Sequence, residues 1–259
     1  MYSNLEHLRS LDLCYTSIRK LSEKISHLQI LKLNYCQSLE ELPTNLHLLT
    51  NLCRLEFIGI KVRKVPPHLG KLKNLKVVMN FNVGHGREFG IQQLGELNID
   101  GSLSIGELQN VENSRDALEA DLKNKTHLLC SCAPCHRLPP LGLLKGALGG
   151  NSSLKRLWIS KLDAECFPDE DLLPPTLIEL QFYDCPNLKS LNYKGLSELS
   201  SLNSLTLRLC PNLEYLPEEG LPRSISFLHV RDCPLVEELD DEEGEEWKKV
   251  AHIEEVLLE

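Results

Sequence analysis

The spacing of leucines constrains this chain more than any other feature. Residues 199–217 read LSSLNSLTLRLCPNLEYLP, with Leu199, Leu202, Leu205 and Leu207 in an L-x-x-L-x-x-L-x-L order that Cys210, Leu213 and Leu216 extend. Leu205 and Leu207 have the two-residue period of a short strand. The offset leucines around them require the chain to turn about one buried column. The unit recurs 25 residues earlier in LQFYDCPNL (180–188) and 23 later in LHVRDCPLV (228–236), so that Leu180, Phe182 and Cys185 match Leu228, Val230 and Cys233.

Recurrence at this interval is the pattern of a leucine-rich-repeat solenoid. The predicted fold is an α/β horseshoe in which each coil gives one strand to a parallel β-sheet on the concave side, with an irregular convex side. Earlier coils carry the columns Leu8, Leu11, Leu13 and Ile18, then Leu28, Leu31, Leu33 and Cys36, then Leu52, Leu55, Phe57 and Ile60, and a fourth opens at Leu72 and Leu75. Aromatic residues make up only 5% of the chain, as expected where leucine fills the interior. Each leucine fully buried there contributes about 1.5–3 kcal/mol.

One repeat position, five residues after the central leucine, holds Thr16, Cys36, Ile60, Cys185, Cys210 and Cys233. An asparagine there would ladder adjacent coils together through its amide. A thiol is a weaker donor, which predicts reduced, buried cysteines and a less regular coil.

The chain divides into repeats over 1–79, an irregular stretch over 80–128, a junction over 129–150, strong repeats over 151–239, and an acidic turn with a cap over 240–259. In the second stretch the alternation of Leu97, Ile99, Leu103 and Ile105 predicts two short strands after an inserted glycine-rich loop. SRDALEADLKNK then predicts a helix of about ten residues capped by Ser114. DDEEGEE is too acidic for the core, and Trp247, Val250, Ile253, Val256 and Leu257 offer a closing apolar edge. The repeats begin almost at Met1 with nothing to cover them, which predicts a preceding domain.

The net charge of −9 is unevenly spread: residues 1–80 carry twelve Lys/Arg and six Asp/Glu, whereas 231–259 carry three and twelve. Opposite ends therefore suit different partners. No apolar run is long enough for a transmembrane helix, and MYSNLEHLRSLDL has neither a basic leader nor an apolar signal stretch, so the expected location is cytoplasmic, with no membrane or nucleic-acid partner.

Catalytic patterns are weak. Cys132-Ala133-Pro134-Cys135-His136 has the spacing of a haem-attachment motif, and Cys130 with His127 could complete a zinc set. A repeat whose cysteines point inward explains the same string, and no metal or cofactor is expected. No phosphate-binding loop, nucleophile elbow or metalloprotease helix occurs, and the paired glutamates at 40/41, 218/219 and 237/238 sit beside leucines at coil edges as solvated carboxylates. Asn124 and Asn151 match glycosylation sequons at about chance frequency. The chain is expected not to be an enzyme.

The remaining candidate is the concave face, formed by residues between the inward leucines. Aromatic and arginine side chains are the usual interface anchors, which selects Tyr15, Lys32, Tyr35, Arg54, Trp158, Tyr183, Arg208, His229 and Arg231 as protein-binding residues.

Longer strings carry a more specific signal than the spacing. LRSLDLCYTSIRKL, LEELPTNLHLLTNLCRLEF, LGKLKNLKVV, IQQLGELNIDGSLSIGELQNV, DALEADLKNKTHL, LPPLGLL and the ending GEEWKKVAHI resemble the leucine-rich-repeat region of plant intracellular immune receptors. The likeness is to the coiled-coil nucleotide-binding class of disease resistance proteins and runs over nearly the whole chain. It implies a region that recognises a pathogen effector or a guarded host protein and holds a neighbouring nucleotide-binding domain in its resting state, with the basic first coils facing that domain. Two departures stand out: the coiled-coil and nucleotide-binding domains are absent, and after KTHLL the chain passes straight to CSCAPCHRLPPLGLL. Both imply a truncated or internally deleted copy. An extracellular receptor ectodomain would carry L-x-G-x-I-P coils and cysteine caps, and a ubiquitin-ligase adaptor would carry a docking motif; none of these is found.

Overall fold

A computed structural model describes residues 7–23, 25–57, 60, 62, 66–78, 81–99, 102–125, 127–131, 145–148, 153–162, 164–241 and 243–259. Strands β1 (Ser10–Asp12), β2 (Ile30–Lys32), β3 (Arg54–Glu56) and β4 (Val77–Val78) form a four-stranded parallel sheet in sequence order. A second sheet of eight strands contains β5 (Phe81–Asn82), β6 (Ser102–Gly106), β7 (His127–Ser131), β8 (Arg156–Ser160), β10 (Glu179–Tyr183), β12 (Ser204–Arg208), β13 (Phe227–Arg231) and β14 (Glu255–Leu258). Strands β9 (Cys166–Phe167) and β11 (Ser190–Leu191) pair separately, between the main strands. The chain is a leucine-rich-repeat solenoid.

The register follows from the leucines. Leu157, Leu180, Leu205 and Leu228 lie opposite one another on successive strands, and Ile159, Phe182, Leu207 and Val230 form the next column. All eight are buried. Because side chains alternate along a strand, the residues between them face outward together.

The two sheets meet within one coil. Val78 lies opposite Leu55, in the first apolar place of its coil, whereas Phe81 lies opposite Ile105, in the second. Those places are two residues apart in other coils and three apart here. The described residues of this coil thus pair in two places, Val77 and Val78 with β3 and Phe81 and Asn82 with β6.

The chain leaves the strands by a repeated left-handed turn. Tyr15, Tyr35, Glu107, Lys161, Asp184, Leu209 and Asp232 occupy one repeat position with φ between 51° and 61°. For residues other than glycine this conformation costs about 1–2 kcal/mol. Aspartate tolerates it best, and Leu209 bears the cost without such help.

The cysteine coils make a ladder of their own. Cys36 Sγ donates to Leu13 O at 2.9 Å, Cys233 Sγ to Leu207 O at 3.6 Å, and Cys185 Sγ approaches Ile159 O at 3.9 Å. Each carbonyl belongs to the preceding coil. Sulfur's longer reach keeps the ladder that the missing amide would have made. Cys210 N donates to Cys233 Sγ at 3.4 Å, and hydrogen bonding to Cys185 and Cys233, followed by burial, raises the Cys210 pKa. Cys14, Cys36, Cys53, Cys166, Cys185, Cys210 and Cys233 are free thiols.

Three expectations fail locally. The stretch 97–99 is not a strand; a 3-10 turn at Ile91–Glu96 precedes it instead. There Gly95 packs so closely on the helix α1 (Ser114–Glu119) that a Cβ would stand 1.9 Å from Glu119 O. That helix has six residues, not about ten, and its cap is Asn113, whose Oδ1 accepts from Asp116 N at 2.9 Å. The left-handed Asp121 ends the helical run. Finally, DDEEGEE is not wholly solvated: Glu246, within the short helix α4 (Glu245–Lys248, after α2 at Tyr193–Ser197 and α3 at Leu235–Leu239), is buried. Its Oε2 accepts from Leu216 N at 2.9 Å while Oε1 pairs with Lys249. The carboxylate is tolerated because both oxygens are satisfied.

Candidate binding surface

The outward positions of the strands form rows across the sheet. On the second sheet one row runs Arg156, Glu179, Ser204, Phe227 and Glu255; the next runs Trp158, Gln181, Thr206, His229 and Leu257; a third runs Ser160, Tyr183, Arg208 and Arg231. On the first sheet Asp12, Lys32 and Glu56 alternate in sign across β1, β2 and β3.

The nine anchors do not make one patch. Tyr183, Arg208 and Arg231 stand side by side on β10, β12 and β13, with the Arg208 guanidinium 6.0 Å from the Tyr183 ring centroid. Arg231 is held by Glu259 at 2.8 Å and Asp232 at 3.2 Å, whereas no carboxylate pairs with Arg208 among the described residues. Trp158, one row over, donates from Nε1 to Glu179 Oε1 at 3.2 Å and stays 43% exposed. Glu179 also pairs with Arg156 at 3.4 Å, so one carboxylate positions two neighbours.

A second group lies on the first sheet. Lys32 faces Asp12, whose carboxyl is held below its usual range by hydrogen bonds to Cys14 and by the lysine's charge. Arg54 pairs with Glu56 at 3.4 Å. Tyr15 and Tyr35 are not strand residues: both sit in the left-handed turns at the sheet edge, where their rings stack with centroids 4.9 Å apart. The pleat that orders Lys32 and Arg54 does not reach them.

His229 is largely shielded between Thr206 and Leu257, with its side chain 19% exposed and its Nε2 3.6 Å from Glu259. It supports the row more than it offers a contact. Leu257, expected in the apolar cap, points outward and is 40% exposed, while Val256 and Leu258 turn to the core. The final segment is thus another strand, and alternation reverses the expected role of one leucine. Leu257 and Phe227 enlarge the apolar part of the surface; the alternation in VLLE was the signal that pointed to the first.

Cys132, Cys135 and His136 lie outside the described residues. Among the described residues no cluster of three or more His, Cys, Asp or Glu is placed to hold a metal, and no helix is long and apolar enough to cross a membrane.

No family model matches the chain. A disease resistance protein of Arabidopsis thaliana is 38% identical over 91 residues, covering 35% of this chain. The disease resistance protein RGA1 of Solanum bulbocastanum is 32% identical over 165 residues, covering 61%, and RGA2 of the same species is 41% identical over 59 residues, covering 23%. These relatives are plant disease resistance proteins. The matched stretches span 16% of RGA1 and 6% of the other two. Among solved structures, the functional domain of InlJ from Listeria monocytogenes, described as including a cysteine ladder, aligns with 88% of this chain and 54% of its own, at 14% identity and a TM-score of 0.45.

Proposed function

We propose that this chain is the recognition region of a cytoplasmic plant defence receptor. Its strand face takes a pathogen effector or a guarded host protein, and its first coils hold a nucleotide-binding domain in the resting state. The observation that carries this reading is the row Tyr183, Arg208 and Arg231 beside Trp158: anchor-type side chains fixed in register on rigid strands, with Arg208 free of any carboxylate among the described residues. Preorganised anchors lose little side-chain entropy on binding. The names of the relatives support the defence role, and the basic excess over residues 1–80 supports an acidic partner surface at that end. On this division, 1–79 serves the switch and 151–239 serves recognition.

The test uses the intact chain and a nucleotide-binding domain of the receptor class it resembles. Binding is expected to weaken steadily as salt rises from about 50 to about 300 mM, because exposed charges more than a Debye length apart are screened. Lys32→Glu with Arg54→Glu should abolish it, while Tyr183→Ala with Arg208→Ala should leave it unchanged. Absent or salt-insensitive binding would overturn the assignment.

A further inference from the structure

Arg156, Arg208 and Arg231 stand at outward strand positions of the second sheet, and the first and last of them are neutralised, Arg156 by Glu179 at 3.4 Å and Arg231 by Glu259 at 2.8 Å. Arg208 has no carboxylate partner among the described residues, and its Nε is shut away from solvent without an acceptor. The Nη groups are not closed off in this way, so they are the donors a docking protein can reach. Beside them stands the Tyr183 ring, itself 50% exposed, with its centroid 6.0 Å from the guanidinium carbon. A planar pair of open Nη groups matches the two oxygens of a carboxylate.

The next residue has a complementary anomaly. Alternation along β12 would turn Leu209 inward after Leu205 and Leu207, but the left-handed turn at φ 55° leaves it 38% exposed between the buried Leu207 and Cys210. Its counterparts in the neighbouring coils, Lys161, Asp184 and Asp232, are all charged. Leu209 thus combines backbone strain with an uncovered apolar side chain, and a docked apolar group would remove that side chain from water. The charges around the pair limit what binds. Asp184 N donates to Arg208 O and Leu209 N to Arg231 O, each at 3.0 Å, so Asp184 and Asp232 flank Leu209 from adjacent coils. Lys161 approaches Asp184 at 3.8 Å, and Arg231 takes Asp232 as well as Glu259. With those acids in place, a single carboxylate meets the open Nη groups with the least added repulsion, whereas a phosphate dianion brings about twice the charge against them.

We propose that Arg208 and Leu209 together bind an acidic residue adjacent to a large apolar residue on the docking protein, with the carboxylate hydrogen-bonded to the Arg208 Nη groups and the apolar side chain packed on Leu209. The proposal rests on the reading of this sheet as a protein-binding face and adds the chemistry of the partner. It also gives the strained leucine a function, because the substitution that relaxes the turn removes the contact.

The experiment titrates the intact isotope-labelled chain, followed by NMR, with acetyl-Ala-Glu-Leu-Ala-amide and with the same peptide carrying Gln for Glu, Ala for Leu, or phosphoserine for Glu. Saturable shifts of the Arg208 Nε–H and the Leu209 methyl resonances are expected with the first, and binding at least about tenfold weaker with the Gln and Ala peptides. Arg208→Gln should lose the distinction between the Glu and Gln peptides. Leu209→Asn should bind the Glu-Leu peptide no better than the Ala peptide while melting above the parent temperature, so that lost binding is not lost folding. Arg54→Gln, on the first sheet, should bind as the parent does. No saturable shift, equal binding of the Glu and Gln peptides, or an undiminished response in Arg208→Gln overturns the proposal. So does tighter binding of the phosphoserine peptide, which assigns the site to a dianion. Shifts confined to the Trp158 Nε1–H overturn it too, yet leave the sheet standing as a protein-binding face. The nucleotide-binding domain is assayed on the first coils, so its salt-dependent binding stands or fails separately from the response of Arg208 and Leu209.

Discussion

The strands before Val78 and those after Phe81 use the same leucine spacing and reach different degrees of order. In the first sheet β1, β2 and β3 have three residues each, and Leu8, Leu11 and Leu13 are only partly buried. In the second, β10, β12 and β13 have five, and their inward columns are closed on both sides. Leucine placement is common to both. The ladder position differs in part. Three successive coils of the second sheet carry Cys185, Cys210 and Cys233 in contact through sulfur and carbonyl, whereas in the first sheet Thr16 and Cys36 are followed by Ile60, which has nothing to donate. The thiols do not set strand length, however, since β6 and β8 also reach five residues with Leu108 and Leu162 at the ladder position; the partly buried Leu8, Leu11 and Leu13 all belong to the first described coil, which has a neighbour on one side only among the described residues.

The comparison can be broken most directly at the core. Leu205→Ala should cost about 2–5 kcal/mol, because a fully enclosed leucine leaves a cavity, whereas the half-buried Leu11→Ala should cost about 1 kcal/mol. Urea denaturation midpoints check this, and equal losses would remove the distinction. Next in size is thiol access. Site-resolved alkylation at neutral pH should label Cys14 and Cys53 at least about 100-fold faster than Cys185, Cys210 and Cys233, which require local opening. Comparable rates would mean that the cysteine ladder frays as readily as the first coils.

A third test concerns the closing segment of the second sheet. Glu246→Ala leaves Leu216 N and the Lys249 ammonium without their buried acceptor and should cost about 1–3 kcal/mol, read from thermal melts. A neutral result would show that β14 contributes little to that sheet. The smallest effect is a gain: Leu209→Asn at φ 55° should stabilise by about 0.5–1 kcal/mol, since asparagine tolerates the left-handed region. The same exchange at Tyr35 should stabilise less, because it also removes the stack on Tyr15.

The legible part of this fold was what repeats. The inward columns, the shared cysteine position and the outward Trp158, Tyr183 and Arg208 all follow from periods of two and of about two dozen residues. What escaped depends on single departures from period. One coil gives β4 to the first sheet and β5 to the second, yet no composition or propensity marks it. Tyr15 and Tyr35 read as strand neighbours because a left-handed turn has no sequence signal when tyrosine occupies it. Glu246 resembles the other acids of DDEEGEE until Leu216 N and Lys249 are brought to it from outside the string.

The passage from the first sheet to the second leaves the interior undivided. Leu72 and Leu94, one on each side of it, belong to a single apolar cluster that also holds Leu55 and Leu103. A cavity opened at either leucine would therefore loosen the packing behind both sheets at once.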